Sequence, residues 1–179
     1  MTKKAWRNEI VQALHTLDPN IKQSAEAALY TKLFETAYWQ SSRTIGITLS
    51  TELELATGPI IEQATLDHKQ VVIPKTLPNW QMAFYPFTET TELAPTKFGI
   101  QEPITGDPVD KSDIDLIVVP GLGFTPNGFR LGFGGGYYDR FLADYSGTTV
   151  VLALPVQTFE QPEWPVKNHD IVIDHVLTV

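Results

Sequence analysis

Seven glycines fall within the segment Pro120–Leu142, PGLGFTPNGFRLGFGGGYYDRFL: Gly121, Gly123, Gly128, Gly132, Gly134, Gly135 and Gly136. Glycine in regular structure costs roughly 0.5–1 kcal/mol relative to alanine, so such a density needs a reason. A loop whose backbone N–H groups must converge on an anion supplies one, because β-carbons would hold the ligand away. Tyr137, Tyr138, Phe141, Leu142 and Tyr145 follow at the spacing of one helix face, which predicts a helix over about 135–145. The glycines thus lead into a helix N-terminus, where free amides and the dipole favour negative charge. Arg130 stands just before the run, where a guanidinium could grip a phosphate in bidentate fashion. Asp139 falls in the first helical turn, where a carboxylate can hold a magnesium ion that bridges phosphate oxygens. This is the chemistry of an enzyme that handles the phosphates of a nucleotide.

The run is not a P-loop, since no Gly-Lys-Ser/Thr follows it, and it fails the dinucleotide fingerprint, whose last glycine would fall on Tyr137. By pattern alone a plainer reading stays open: a glycine-rich turn and a helix whose Asp139 and Arg140 face water.

The rest of the chain narrows the class. Its 179 residues fit one domain spanning 1–179, and 42% hydrophobic with 19% charged residues is a globular composition. The net charge of −8 repels nucleic-acid backbones, and the only tight basic cluster is Lys3, Lys4 and Arg7, so no nucleic-acid partner is expected. No apolar run approaches the ~18 residues that span a bilayer, and the basic N-terminus runs into an amphipathic helix rather than a signal peptide. The absence of cysteine excludes disulfides, thiolate catalysis and cysteine-based metal sites. A cytoplasmic monomer acting on small molecules is the expectation.

The elements that must position the glycine segment follow from periodicity and breakers. Thr2 can cap a helix with Trp6, Ile10, Val11, Leu14 and Leu17 inward, broken at Asp18-Pro19-Asn20. A second helix is predicted over 21–39. A third, capped by Thr57 with Pro59 in its first turn, runs to about Asp67. Strands are predicted over 44–49, 70–74, 81–87, 115–120 and 148–154, with a final strand or strand pair in 170–179. Residues 88–112, rich in Thr, Pro and Gly, read as a long irregular excursion. Short apolar strands alternating with helices imply an α/β fold with a parallel or mixed sheet covered on both faces. In such a sheet ligands bind beyond the carboxyl ends of the strands, and the glycine segment follows strand 115–120 at such an end.

The run Arg130–Arg140, RLGFGGGYYDR, preceded by Val119-Pro120-Gly121, closely resembles the signature of the 5-formyltetrahydrofolate cyclo-ligases, also called methenyltetrahydrofolate synthetases. Further matches follow in order along the whole chain: Lys3 and Arg7 one turn apart on the first helix, Glu54-Leu-Ala-Thr57 with Ile60-Ile61, Pro74-Lys75, Met82 with Phe84, Phe98–Pro103, and His169-Asp170 with Asp174. One departure is Gly135, where some relatives carry a lysine and others a glycine; it removes any lysine-assisted phosphate contact from that loop.

The resemblance implies a three-layer, Rossmann-like α/β sandwich (CoA-transferase-like) with a mostly parallel sheet flanked by helices. It implies ATP- and magnesium-dependent conversion of 5-formyltetrahydrofolate to 5,10-methenyltetrahydrofolate through a phosphorylated formyl intermediate, releasing ADP and phosphate. Lys3, Arg7 and Arg130 would be the catalytic cations. ATP would be held by Lys3, Lys4, Arg7 and the stretch Arg130, Leu131, Gly132, Phe133, Gly134, Gly135, Gly136, Tyr137 and Tyr138. The folate would rest on Leu49, Glu54, Phe133 and Gly134–Tyr137, with Met82 and Phe84 as further wall residues. Glu54 would accept two N–H bonds from the pterin edge, and Asp139 and Asp170 would hold the magnesium. Two alternatives compete with this reading. One is a sugar-phosphate isomerase or CoA-transferase-like enzyme on a related scaffold, which would need a dedicated carboxylate base and no use for Lys3 and Arg7. The other is a degenerate nucleotide- or folate-binding module without catalysis.

Overall fold

The structure is a computed structural model that describes all 179 residues. Helix α1 (Lys3–His15) is capped by the Thr2 hydroxyl, which accepts the Ala5 amide, and turns Ile10 and Leu14 into the core. Asp18 accepts the amides of Asn20 and Ile21 and opens α2 (Pro19–Glu35), where Pro19 occupies a first-turn position that needs no amide. The predicted second helix does not run unbroken to Trp39. Thr36 leaves the helical region at ψ 146° and its hydroxyl caps a separate helix, α3 (Ala37–Ser41). The break turns the Trp39 ring fully inward, with its indole N–H donating to Asp67 at 2.9 Å.

The chain continues through β1 (Thr44–Gly46), α4 (Gly58–Leu66), β2 (Gln70–Leu77) and β3 (Gln81–Pro86). After β4 (Leu93–Pro95) and β5 (Gln101–Pro103) come β6 (Leu116–Val118), β7 (Gly123–Phe124) and β8 (Arg130–Leu131). The last elements are α5 (Tyr137–Leu142), β9 (Thr148–Leu152) and β10 (His175–Leu177). The main sheet has the order β10-β9-β6-β1-β2-β3, parallel throughout except for the antiparallel pair β2–β3.

Alternation along the strands builds both layers. Val71, Ile73, Leu116, Val118, Val150 and Leu152 join α1–α4 in one apolar cluster, while Val72, Ile117 and Val151 point to the other face. There they meet Met82 and Phe84 of β3 and Phe141 and Leu142 of α5. Leu29, Leu33, Ile45 and Ile60 are wholly buried, and each such side chain contributes about 1.5–3 kcal/mol through apolar area removed from water. The Rossmann-like α/β expectation therefore holds. Its weak side is the face of α5, which is covered by one short helix.

Several predicted boundaries shift. Strand β1 is three residues long, although the Ile47 amide still donates to Val72. Strand β2 runs on to Leu77 because β3 pairs with it along its whole outer half. The 88–112 excursion is not structureless: β4 and β5 form a hairpin, and Glu102 accepts both the amide and hydroxyl of Thr76 to hold it against β2. Helix α5 covers six residues rather than the predicted eleven, since Gly136 has left-handed backbone (φ 70°) and Leu142 is the last helical residue. So few aligned peptides sum to a weak dipole, which removes much of the anion attraction expected of this helix end.

The order of strands reverses between β1 and β6. From β1 the chain adds β2 and β3 on one side, then returns to lay β6, β9 and β10 on the other. The loops after β1 and β6 therefore diverge at the switch point of the sheet. Gly128 ties the second of these loops to the C-terminal segment: at φ 83° its carbonyl accepts the Ile173 amide at 2.9 Å. A β-carbon there would lie 2.2 Å from the Ile173 carbonyl oxygen. We predict that Gly128→Ala lowers stability by about 2 kcal/mol, from positive-φ strain and overpacking, with urea denaturation as the measurement.

Candidate active site at the switch point

The glycine segment leaves β6 at Val119-Pro120 and doubles back through the small antiparallel pair β7–β8. This hairpin buries Leu131 and delivers Arg130 inward, where the residue is 8% exposed. Its Nη1 donates to the Pro120 carbonyl at 3.0 Å, and its Nη2 meets Asp139 Oδ1 at 3.1 Å. The guanidinium also lies 5.8 Å from the Tyr138 ring centroid, and Nε has no partner in the protein. Asp139 Oδ1 accepts the Ile171 amide as well, at 3.3 Å, which brings the C-terminal segment and Asp170 against α5.

Helix α1 reaches the same place from the other end of the chain. Lys3 Nζ meets Asp170 Oδ2 at 2.6 Å, and Arg7 Nε donates to the Gly132 carbonyl at 2.7 Å. The i, i+4 spacing puts both cations on one face of α1. A β-carbon at Gly134 would lie 3.3 Å from the Arg7 guanidinium carbon, so the bare backbone permits this approach. Burial pulls the Arg7 guanidinium below its ordinary pKa, while the neighbouring Asp170 pulls it back up. At Asp170 burial works to raise the carboxyl. The hydrogen bonds from Lys3 and the Lys167 amide, with the Lys3 and His169 charges, outweigh it and hold the group below the usual carboxylate range.

Two features of this cluster decide what it can hold. The amides of Phe133, Gly134, Gly135 and Gly136 donate to no acceptor in the protein, so an exposed stretch of backbone presents free N–H groups beside Arg7. Each carboxylate also keeps one oxygen without a protein hydrogen-bond donor, Oδ2 of Asp139 and Oδ1 of Asp170. No group of three or more acidic or histidine side chains forms a self-sufficient cation cage. Two free carboxylate oxygens beside cations and unpartnered amides are instead the donor set that suits magnesium, which takes one or two carboxylates and completes its shell with phosphate and water.

Glu54 comes from the loop after β1. Its Oε2 accepts both the amide and hydroxyl of Thr51 at 2.9 Å, its own amide donates to the Thr51 carbonyl, and its Oε1 has no protein partner. Thr57 does not cap α4 with its side chain. It braces the loop instead: its hydroxyl accepts the Ser50 amide and its amide donates to the Ser50 hydroxyl, each at 3.0 Å. Glu54, Thr48, Ser50, Pro120 and Gln157 line one cleft across the β1–β6 boundary. Tyr138 lies beside it. Burial pushes this phenol far above its ordinary pKa, with Arg130 opposing and Glu54 adding, and the hydroxyl has no partner in the protein.

The structure thus gathers Lys3, Arg7, Arg130, Gly132–Gly136, Tyr138, Asp139 and Asp170, with Glu54 at the adjacent cleft. It does not bring in every expected residue. Lys4 is exposed on α1 and makes no hydrogen bond or salt bridge. Leu131 is 1% exposed in the core, so only its backbone can face a ligand. Met82 and Phe84 pack in the core beneath α5, Leu49 is half-buried against the opposite core, Phe133 is 50% exposed and Tyr137 is half-buried. Sequence reasoning missed Gln157, whose buried amide donates to the Gly121 carbonyl and accepts from Leu154. Its position just beyond strand β9, at a carboxyl end, was the available signal.

A doubly wound sheet with facing loops at its switch point, one carrying a carboxylate and the other a cation-lined glycine run, is the architecture of an α/β enzyme with its candidate site at the strand ends. The family model of the 5-formyltetrahydrofolate cyclo-ligases matches residues 1–179. The chain is 32% identical to 5-formyltetrahydrofolate cyclo-ligase of Mus musculus over 98% of this chain and 92% of that protein. To the protein of the same name from Escherichia coli K12 it is 30% identical, over 94% and 96%. The solved structure of 5,10-methenyltetrahydrofolate synthetase from Aquifex aeolicus superposes with a TM-score of 0.83 at 28% identity, covering 98% of this chain and 89% of that one. A second synthetase structure, from Mycoplasma pneumoniae, shares the fold with a TM-score of 0.79 at 22% identity, over 99% of both chains. This chain belongs to the 5-formyltetrahydrofolate cyclo-ligase family. No helix is long and apolar enough to cross a membrane.

The unpartnered Tyr138 hydroxyl gives a direct test of the site's packing. We predict that Tyr138→Phe stabilises the fold by about 1 kcal/mol, because a buried donor without an acceptor is removed. A phenol whose folded pKa is raised supports stability below its unfolded value of about 10 and loses that support as pH rises. The gain should therefore widen between pH 8 and pH 10.5 in urea denaturation.

Proposed function

We propose that the protein converts 5-formyltetrahydrofolate to 5,10-methenyltetrahydrofolate with consumption of ATP, in the presence of magnesium. The observation that carries this reading is the convergence of Lys3, Arg7, Arg130, Asp139 and Asp170 on a glycine loop with free amides, in a chain of this family. The chemical difficulty is that a formamide is a poor electrophile and its oxygen a poor leaving group. Transfer of the γ-phosphoryl group to the formyl oxygen releases ADP and converts that oxygen into a phosphate ester. N10 of the same folate then attacks the formyl carbon, the C–O bond breaks, and phosphate departs with the N10 proton as the ring closes.

Little covalent work falls to the protein; it must align the groups and balance phosphate charge. In this reading Arg130, Lys3 and Arg7 take the triphosphate together with the backbone from Leu131 to Tyr138, and Lys4 adds a looser charge from the exposed side of α1. Gly135 leaves that loop without a lysine, so these cations supply the positive charge. The free oxygens of Asp139 and Asp170 would hold magnesium, which lowers the charge on the phosphate oxygens when bound. Arg130 and Lys3 each share a carboxylate with that position, so the cations are held in place beside the phosphates before the reaction begins. Glu54 directs its free Oε1 to the pterin N–H groups, with its other oxygen fixed by Thr51. Phe133 and the Gly134–Tyr137 stretch form the folate's walls, and Leu49, packed on the opposite core, could add only its exposed part.

Purified protein supplied with ATP, magnesium and 5-formyltetrahydrofolate is expected to form the methenyl chromophore in the near ultraviolet. Folded protein that forms none with intact substrates would sink the reading. Asp139→Asn should lose turnover on the order of a hundredfold, the scale of removing one preorganised electrostatic contact. Its circular dichroism should stay that of the parent, and unchanged turnover would remove Asp139 from the metal site.

A further inference from the structure

Trp80 and Arg140 stand outside every role assigned above, yet both lie at the ligand edge of the sheet. Because β3 runs antiparallel to β2, with Leu77 opposite Gln81, the turn Pro78–Trp80 sits beyond the carboxyl end of β2. The Glu54 loop and the glycine segment rise from the same edge. The turn holds two successive non-glycine residues in left-handed backbone, Asn79 at φ 61° and Trp80 at φ 56°. That conformation is tolerable for asparagine and unfavourable for tryptophan, and strain of this kind collects at functional sites. The indole it presents is 58% exposed, with the Arg140 guanidinium carbon 5.7 Å from its ring centroid.

Arg140 also lacks a charged partner at this edge. Lys3 and Arg130 are each paired with a carboxylate and Arg7 donates to Gly132, whereas Arg140 has no carboxylate partner. Only its Nη1 is engaged, with the Gly136 carbonyl at 3.2 Å; Nε and Nη2 have no partner in the protein. The tether places Arg140 at the end of the glycine loop opposite Arg7, which touches Gly132 and Gly134. In a chain of net charge −8, a guanidinium held over an exposed indole is a local attractor for a carboxylate attached to an aromatic ring.

The proposed substrate carries that chemistry at the end remote from the reacting formyl group, where a p-aminobenzoyl ring bears a glutamate with two carboxylates. We propose that Trp80 and Arg140 form the subsite for this tail, Trp80 packing on the p-aminobenzoyl ring and Arg140 gripping a glutamate carboxylate through its free nitrogens. The inference rests on the cyclo-ligase reading. It makes the pair specificity-determining residues, separate from the phosphate chemistry on the other side of the loop.

The test compares 5-formyltetrahydrofolate with 5-formyltetrahydropteroate, which lacks the glutamate. Arg140→Gln should raise KM for the folate roughly tenfold, the effect of one charge-assisted contact, and leave kcat and the KM for ATP unchanged. On the pteroate the variant and the parent should have the same KM. Trp80→Ala should raise KM for both substrates, because the ring contact is common to them, and Trp80→Phe should restore most of it. An Arg140→Gln effect of equal size on both substrates, or one confined to ATP, overturns the tail subsite while leaving the cyclo-ligase reading intact. Failure of the parent protein to turn over either substrate removes that reading and this inference together.

Discussion

The guanidinium of Arg130 is buried where β6, the β7–β8 hairpin, α5 and the C-terminal segment meet, and the geometry of the site depends on how that charge is satisfied. A buried cation without partners carries a desolvation penalty of several kcal/mol. Here the Pro120 carbonyl and Asp139 supply two of the required acceptors. Because those acceptors belong to the end of β6 and to α5, satisfying Arg130 also sets the distance between them. Asp139 passes the constraint on by accepting the Ile171 amide, which fixes Asp170 next to it. Lys3 then joins α1 to Asp170. Four remote stretches of chain are tied through one buried charge.

The same arrangement gives an acidic protein a local cluster of cations suited to the proposed anion site. Each metal-ligand candidate is half neutralised by a cation on one oxygen and left free on the other, so the carboxylates neither repel each other strongly nor lose their capacity to bind. The cations in turn are oriented by those carboxylates rather than left as flexible surface chains, which reduces the ordering entropy a ligand must overcome. The short α5 contributes little dipole. In the proposed reading, anion binding falls to the side-chain cations and the free amides of residues 133–136 instead.

Periodicity and breakers made the main elements legible: the Thr2 and Asp18 caps, the apolar strands and the α/β alternation all appear where local chemistry puts them. The boundaries that shifted did so for tertiary reasons. The Thr36 break follows from turning Trp39 into the core, and the extension of β2 follows from pairing with β3. The hairpin inside 88–112 exists because Glu102 finds Thr76 on a strand far away in sequence. Thr57 had the residue type of a cap, but a better partner, Ser50, lay seven residues back on the same loop. Leu131 belonged to a ligand-binding stretch by motif, yet strand alternation in β8 turned its side chain to the core.

What the sequence determined by itself was the chemistry available. A glycine run that leaves backbone amides bare, a flanking arginine and aspartate, and a Lys-Arg pair one helical turn apart are local facts, readable without a fold. Which of these groups meet was decided only by the tertiary structure. The order of strands brings loops 47–57 and 119–136 together at the switch point, and packing of α1 brings Lys3 and Arg7 to residues more than a hundred positions away. The pairing of Lys3 with Asp170 and Arg130 with Asp139, and the cation–π contact of Arg140 with Trp80, have no signature in local pattern. They arise because contact between side chains depends on distance in space, which the chain's linear order does not encode until the sheet has set it.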